Sequence, residues 1–187
     1  MTTTSEAHAA NVRRLYSEEE IAKRVTALAR EIAASAPDRL LVVIVLKGAF
    51  VFGADLVRAL AVEGVRLEIE FISLASYGTQ LETSGEVQVR RDIEVAVAGR
   101  DVLIVDDVLD SGLTLKFARE LMQSRVVKRA SIAVMVDKPE GRRTEIEADY
   151  VGFTCPSYFV VGYGMDAAHA WRELPYVGVL EPVSEAG

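Results

Sequence analysis

Val102-Leu103-Ile104-Val105-Asp106-Asp107-Val108-Leu109-Asp110-Ser111-Gly112-Leu113-Thr114-Leu115 decides how this chain of 187 residues is read. The aliphatic run over 102–105 predicts a strand covered on both faces. Two acids close it, and Asp110-Ser111-Gly112-Leu113-Thr114 then opens a helix over Leu113–Ser124. Gly112 lets backbone amides turn toward one point. A helix N-terminus supplies unpaired N–H groups and the positive end of a dipole, and Ser111 and Thr114 add hydroxyls. Together they make an anion pocket sized for a phosphate monoester. An ordinary N-cap would account for Asp110 and Ser111 but not for Asp106 and Asp107. Carboxylates at the end of an apolar strand are costly unless they bind something, and ribose hydroxyls with a nearby magnesium ion suit them.

Outward from this stretch, strands and helices alternate. Ser17 and Glu20 form a capping box, and Ile21, Val25, Leu28, Ala29 and Ile32 follow at helical spacing until Pro37-Asp38. Residues 1–12 read as a loose tail. Leu40–Leu46 is a second covered strand, 50–60 a helix and 67–74 a strand. The polar, glycine-bearing segment 76–85 reads as an excursion, and 87–97 alternates weakly, as a hairpin or edge would. A further strand is predicted over 131–136, with short late strands at 150–153, 158–162 and 176–180. This order predicts an α/β fold: a Rossmann-like, mainly parallel sheet flanked by helices, with a small cap or hood from the terminal segments. No repeat or linker interrupts it, so one domain over 1–187 is expected. Ligands of such sheets bind beyond the carboxyl ends of the strands. The unusual residues all follow strands: Lys47-Gly48, Asp106-Asp107, Lys138-Pro139 and Asp166.

The net charge of -7 argues against nucleic acid as a partner unless a basic patch is concentrated locally. Arg13-Arg14, Arg90-Arg91, Lys128-Arg129 and Arg142-Arg143 are short, lie among carboxylates and read as solvated surface. The lone Cys155 excludes a disulfide framework and reads as a small buried hydrophobe. The first residues lack the apolar core of a signal peptide. The longest apolar run, Leu40–Leu46, is too short to span a bilayer. A cytoplasmic location with no membrane partner is expected. His8 and His169 read as exposed and without a role.

The central stretch resembles the 5-phosphoribosyl-1-pyrophosphate motif of the type I phosphoribosyltransferases: four hydrophobics, two acids, two hydrophobics, then Asp-Ser-Gly-Leu-Thr-Leu. It is not a Walker loop, because no lysine follows the glycine. Leu46-Lys47-Gly48 resembles the family's pyrophosphate loop, and Ser76-Tyr77-Gly78 the start of the mobile lid in its hypoxanthine-guanine branch. Asp137-Lys138-Pro139 and Phe159-Val160-Val161-Gly162-Tyr163-Gly164-Met165-Asp166 resemble that branch's base pocket. Arg172 and Leu174-Pro175-Tyr176-Val177-Gly178 resemble its C-terminal signature. The matches run in order from about Ser17 to Leu180. Two positions depart: Asp106 stands where many members have Glu, and Ala49 where relatives often carry Gly or Ser.

The resemblance implies purine salvage: transfer of the 5-phosphoribosyl group from phosphoribosyl pyrophosphate to hypoxanthine and/or guanine, forming IMP or GMP and pyrophosphate, with magnesium as cofactor. By the same resemblance, Asp106 and Asp107 hold the ribose hydroxyls, directly or through magnesium. Ser111, Gly112, Leu113 and Thr114 hold the 5′-phosphate. Asp110 handles the proton at purine N7, a task for which burial near other acids would suit it. Lys47 and Gly48 offer backbone amides to pyrophosphate, from a peptide that is often strained or cis in the family. Arg172 pairs with pyrophosphate, and Asp166 binds a second magnesium. Lys138 donates to O6, Phe159 stacks on the base, and the Val160 carbonyl accepts from its edge. Ser76 and Tyr77 lead the lid. A homo-oligomer, dimer or tetramer, is implied, and the apolar character of the helix at 50–60 makes it a candidate to pack between subunits. Without the resemblance, Lys47 would be a solvated strand end, Lys138 a surface lysine and Phe159 a core aromatic. Three relatives of the same fold compete. The RNA-binding pyrimidine-operon attenuator usually has an aromatic where this chain has Asp110, and lacks the Lys138-Pro139 and Phe159-Val160 pair. The purine-operon repressors need a DNA-binding module. A xanthine-preferring relative stays open.

Overall fold

A computed structural model describes residues 12–35, 37, 39–79 and 82–181, with side chains left out over 76–86. Its elements follow in chain order: β1 (Val12–Tyr16), α1 (Glu18–Ala34), β2 (Leu40–Leu46), α2 (Phe50–Val62), β3 (Leu67–Thr79), β4 (Glu82–Arg91), β5 (Asp101–Leu109), α3 (Leu113–Ser124), β6 (Arg129–Asp137), a short 3-10 turn (Pro139–Gly141), β7 (Tyr150–Thr154), β8 (Val160–Val161) and β9 (Val177–Leu180). The main sheet runs β4-β3-β2-β5-β6-β7, parallel except for β4. A second sheet, β1-β9-β8, forms the hood. The expected α/β class with a hood is borne out.

Successive side chains of β2 point to opposite faces, which is why its sequence is uninterruptedly apolar. Leu40, Val42 and Ile44 pack with Ile21, Val25 and Leu28 of α1 and with Phe52 and Leu56 of α2. Leu41, Val43 and Val45 pack on the other face with Leu115, Ala118 and Met122 of α3. Each such side chain contributes roughly 1.5–3 kcal/mol through burial. The capping box forms as expected: Ser17 Oγ accepts from the Glu20 amide at 3.3 Å and Glu20 Oε2 accepts from the Ser17 amide at 2.8 Å. Cys155 is buried.

Three expectations change. The strand expected to stop at Val105 continues as β5 through Asp106 and Asp107 to Leu109. Its ladder with β2 ends at Ile44↔Val105, whereas its ladder with β6 runs on to Leu109↔Asp137. From Asp106 onward β5 is paired on one side only. Within the expected excursion over 76–85, residues 76–79 and 82–85 instead belong to a β3–β4 ribbon, with Ser76 opposite Val87 and Thr79 opposite Glu82. Backbone pairing does not need the apolar alternation that a sequence reading relies on. Ser76 and Tyr77 therefore lie in β3, and β4 is the sheet edge anticipated for 87–97, although pairing stops at Arg91. Finally, Val12 starts β1, which pairs with β9 from Val12↔Leu180 to Tyr16↔Val177. The rest of the expected tail, including His8, lies outside the described residues.

Several of the basic pairs bind within the chain instead of facing only solvent. Lys128 and Arg129 both hold the buried Asp101, at 3.4 and 3.1 Å. Arg13 pairs with Glu181 at 2.6 Å, and Arg14 lies 4.8 Å over the Tyr176 ring. Among the described residues no helix is long and apolar enough to cross a membrane.

Candidate active site

The loops that leave β2, β5 and β6 converge at the carboxyl end of the sheet, joined by the hood loop after β8. Three glycines show how tightly. Gly48 leaves no room for a side chain against the Asp107 carboxylate, Gly164 none against the Gly48 carbonyl oxygen, and Gly141 none against the Asp110 carboxylate. Lys47 is exposed, and the Leu46–Lys47 peptide is cis.

Asp106 is buried where β5 has lost β2 as a neighbour. Its Oδ1 accepts from the Asp107 amide at 2.9 Å, and Asp107 Oδ1 accepts from the Val108 amide at 2.9 Å. Burial, and next the charge of Asp107, push the Asp106 carboxyl well above the usual carboxylate range. The folded chain thus holds this proton more tightly than the unfolded chain. The resulting penalty is absent below the unfolded value of about 3.9 and is complete once pH has risen through the folded value. Asp106→Asn is expected to raise the melting temperature of the ligand-free protein at neutral pH. The rise should be about 2–4 °C for each kcal/mol relieved, and should shrink as pH falls. Melting curves across pH check this; a gap independent of pH would contradict it.

Among the described residues, no three His, Cys, Asp or Glu side chains gather into a metal cage. Two adjacent carboxylates at the end of β5 nevertheless fit magnesium, which takes one or two protein carboxylates when substrate phosphates supply the rest.

Past Leu109 the chain turns into α3 through Gly112, at φ 83°. Gly112 itself is the N-cap and no side chain caps the helix, so the ordinary capping role considered for Asp110 and Ser111 does not hold. The Lys116 amide bonds to the Gly112 carbonyl at 2.9 Å. The amides of Leu113, Thr114 and Leu115 therefore have no acceptor within the helix. Ser111 and Thr114, both part-buried, flank them.

Lys138 is only 7% exposed, unlike a surface lysine, and its Nζ lies 3.7 Å from Asp110 Oδ2. The burial of Asp110 among other acids anticipated from sequence is not found. Its side chain is 53% exposed and its charged neighbour is the Lys138 ammonium. Phe159, 57% exposed, is no core aromatic, whereas Val160 next to it is buried. Asp166 and Arg172 hold each other at 2.6 Å. The second Asp166 oxygen accepts from the His169 amide at 2.9 Å, and Arg172 also donates to the Gly164 carbonyl at 2.7 Å. The imidazole of His169 is exposed as expected.

Two residues escaped the sequence reading. Tyr163 donates to Asp55 of α2 at 2.6 Å, tying the hood loop to the helix behind the Lys47 turn, and burial pushes its phenol far above the usual range. Arg142, read as solvated surface, turns inward and binds at the ends of β5 and β6. Tyr163 lies inside the base-pocket motif, but that motif gives it no role of its own, and Arg142 has no signal beyond its closeness to Lys138-Pro139.

A model of the phosphoribosyl transferase domain family matches residues 11–168. The hypoxanthine-guanine phosphoribosyltransferase of Bacillus subtilis is 46% identical over 169 residues, covering 90% of this chain and 92% of that protein. Its counterpart in Dictyostelium discoideum is 41% identical, covering 89% and 94%. The structure of a hypoxanthine phosphoribosyltransferase from Staphylococcus aureus matches over the whole of both chains with a TM-score of 0.89 at 35% identity. One from Trypanosoma cruzi matches over 91% of each chain with a TM-score of 0.86 at 39% identity.

Proposed function

This chain belongs to the hypoxanthine-guanine phosphoribosyltransferases, within the phosphoribosyl transferase family, and we propose a division of that reaction among its strand-end residues. The enzyme moves the 5-phosphoribosyl group of phosphoribosyl pyrophosphate to hypoxanthine or guanine and releases pyrophosphate. The observation that carries the division is the one-sided stretch of β5. It brings two carboxylates, an uncapped helix N-terminus and the Asp110–Lys138 pair to one edge.

The 5′-phosphate is held by the amides of Leu113 and Thr114, presented by the Gly112 turn, and by the hydroxyls of Ser111 and Thr114. Asp106 and Asp107 take the ribose hydroxyls, directly or through magnesium. Lys47, Gly48 and Arg172 face the pyrophosphate. Asp166 is the candidate for a second magnesium, and Arg172 already holds it in place. Magnesium, when bound, offsets the charge that develops on the leaving pyrophosphate. The bond from ribose C1 to pyrophosphate breaks ahead of the new bond to a purine nitrogen, leaving an oxocarbenium-like sugar.

Asp110 takes or returns the proton at N7. Lys138 donates to O6, which hypoxanthine and guanine share. Phe159 stacks on the base, and the Val160 carbonyl accepts from its edge. The β3–β4 ribbon that carries Ser76 and Tyr77 is the lid that keeps water, the competing nucleophile, from the sugar. Asp106, one methylene shorter than Glu, reaches less far toward the ribose.

A single domain over 1–187, a cytoplasmic location and a dimer or tetramer complete this reading. Phe50, exposed at the start of α2, supports a subunit contact there. A clean monomer in sedimentation at micromolar concentration would count against the oligomer. The central test is one spectrophotometric assay with phosphoribosyl pyrophosphate and magnesium in which hypoxanthine, guanine and xanthine compete. Turnover of hypoxanthine or guanine, abolished by a chelator, is expected. Turnover of xanthine alone would overturn the base assignment, and turnover unaffected by the chelator would overturn the metal.

A further inference from the structure

We propose that Arg142 is a positioning residue that sets the spacing of the purine pocket, an inference that rests on the roles of Asp110 and Lys138 given above. The ladder between β5 and β6 has its last rung at Leu109↔Asp137. The Lys138 amide completes that rung by donating to the Leu109 carbonyl at 2.9 Å, and the regular pairing stops there, before the carbonyls of Asp110 and Lys138, the residues that face the base. Arg142 occupies this place. Its Nη1 donates to the carbonyls of Leu109 at 2.7 Å, Asp110 at 2.6 Å and Lys138 at 3.3 Å. Its Nη2 binds the Asp137 carboxylate, and its Nε donates to the Ile146 carbonyl at 3.2 Å. A single planar group thus joins the chain on both sides of the gap between the two strands.

The chemistry explains why this should be an arginine. A guanidinium presents five donors in a rigid fork, whereas an ammonium is a point charge on a flexible stem. Only the fork can satisfy carbonyls from two strands and a carboxylate at once. Asp137, as buried as Arg142, balances its charge, so the clamp adds little net field to the site. Next to it Gly141 lets the turn close directly onto the Asp110 carboxylate. The distance between Asp110 and Lys138 then follows from where Arg142 holds their two carbonyls. Among the described residues, the hydrogen bonds of the Arg142 side chain go to Leu109, Asp110, Lys138, Asp137 and Ile146, and none goes to Asp106, Asp107 or the amides that open α3.

This separation gives the test. Arg142→Lys keeps the charge and the aliphatic stem but loses the fork. In the assay above, kcat/KM for hypoxanthine should fall about 100-fold, the scale of an ångström of misplacement. The Kd of phosphoribosyl pyrophosphate with magnesium, measured by calorimetry, should change less than about threefold, since Arg142 meets the Gly112 turn only through its aliphatic stem, which lysine keeps. Asp137→Asn keeps the fork and removes its anionic partner. It should give a smaller loss with the same split, and it decides the matter if Arg142→Lys does not fold. Equal losses for both substrates, or no loss for either, would overturn the proposal. A wild-type chain inactive toward hypoxanthine and guanine would instead sink the parent reading of the site.

Discussion

Asp110→Asn lowers kcat by about 10²- to 10⁴-fold, the range of positioned acid–base catalysis, while the Kd of phosphoribosyl pyrophosphate moves less than about threefold. The asymmetry follows from what surrounds this side chain. One oxygen faces the Lys138 ammonium at 3.7 Å and the other abuts Gly141. Its backbone carbonyl is fixed by Arg142. An amide of the same shape fits that space without moving the loop, so the variant loses the ability to exchange a proton and little else. The groups proposed for phosphate and ribose lie elsewhere, on α3 and on Asp106–Asp107. Half-exposed in the free chain, Asp110 is open to solvent until a base covers it, so its catalytic environment is completed by the substrate. Steady-state turnover together with calorimetric titration checks the prediction. Near-normal turnover would remove Asp110 from proton transfer.

Gly164→Ala is the second large effect, and it acts through the backbone. Gly164 sits at φ 99°, where side chains are strained, and its added methyl would meet the Gly48 carbonyl. A carbonyl cannot swing aside as the tip of a flexible side chain can. Either the hood loop lifts, carrying Asp166 and Arg172 with it, or the Lys47–Gly48 turn moves against Asp107. Both outcomes displace groups assigned to pyrophosphate. The kcat/KM for phosphoribosyl pyrophosphate should fall about 100-fold or more. The melting temperature should also drop, since forced backbone conformations cost about 1–3 kcal/mol. Gly64→Ala is the control: it carries comparable strain at φ 79° but has open space around it. Kinetic loss of the same size in both variants would show that strain, and not the contact with Gly48, is responsible.

What could be read from the sequence was what depends on neighbours along the chain or on burial of whole faces. Leu40–Leu46 is apolar throughout because both of its faces are covered, and Ser17 with Glu20 caps α1 through contacts three residues apart. The Gly112 turn was legible because its chemistry is local. The misreadings share another cause. Val12 reads as the end of a tail, and 13–16 as no element, because the partner of β1, β9, lies at the other end of the described chain. Asp110 was expected to be buried, but its exposure is set by how β5 and β6 end, not by the acids beside it in sequence. Arg142 looked solvated because its partners are mostly carbonyl oxygens, which every residue has and no motif records. Asp166 and Arg172 each stand out in the sequence as partners of a ligand, but their bond to each other depends on the fold of the hood loop, which no motif records.

The hood has a bearing on when the protein becomes competent at the ribosome. β9 is its middle strand, flanked by β1 and β8. During synthesis, at about 5–20 residues per second, β1 does not meet β9 until Val177–Leu180 follows it. The six-stranded sheet, and with it the phosphate cradle, can assemble while β1 is still waiting. Phe159, proposed to face the purine, has a carbonyl that accepts from the Leu180 amide at 2.9 Å, so its support comes late. A nascent or trimmed chain that stops short of Tyr176 would therefore keep the turn proposed for the sugar phosphate but lack the support of the wall proposed for the base.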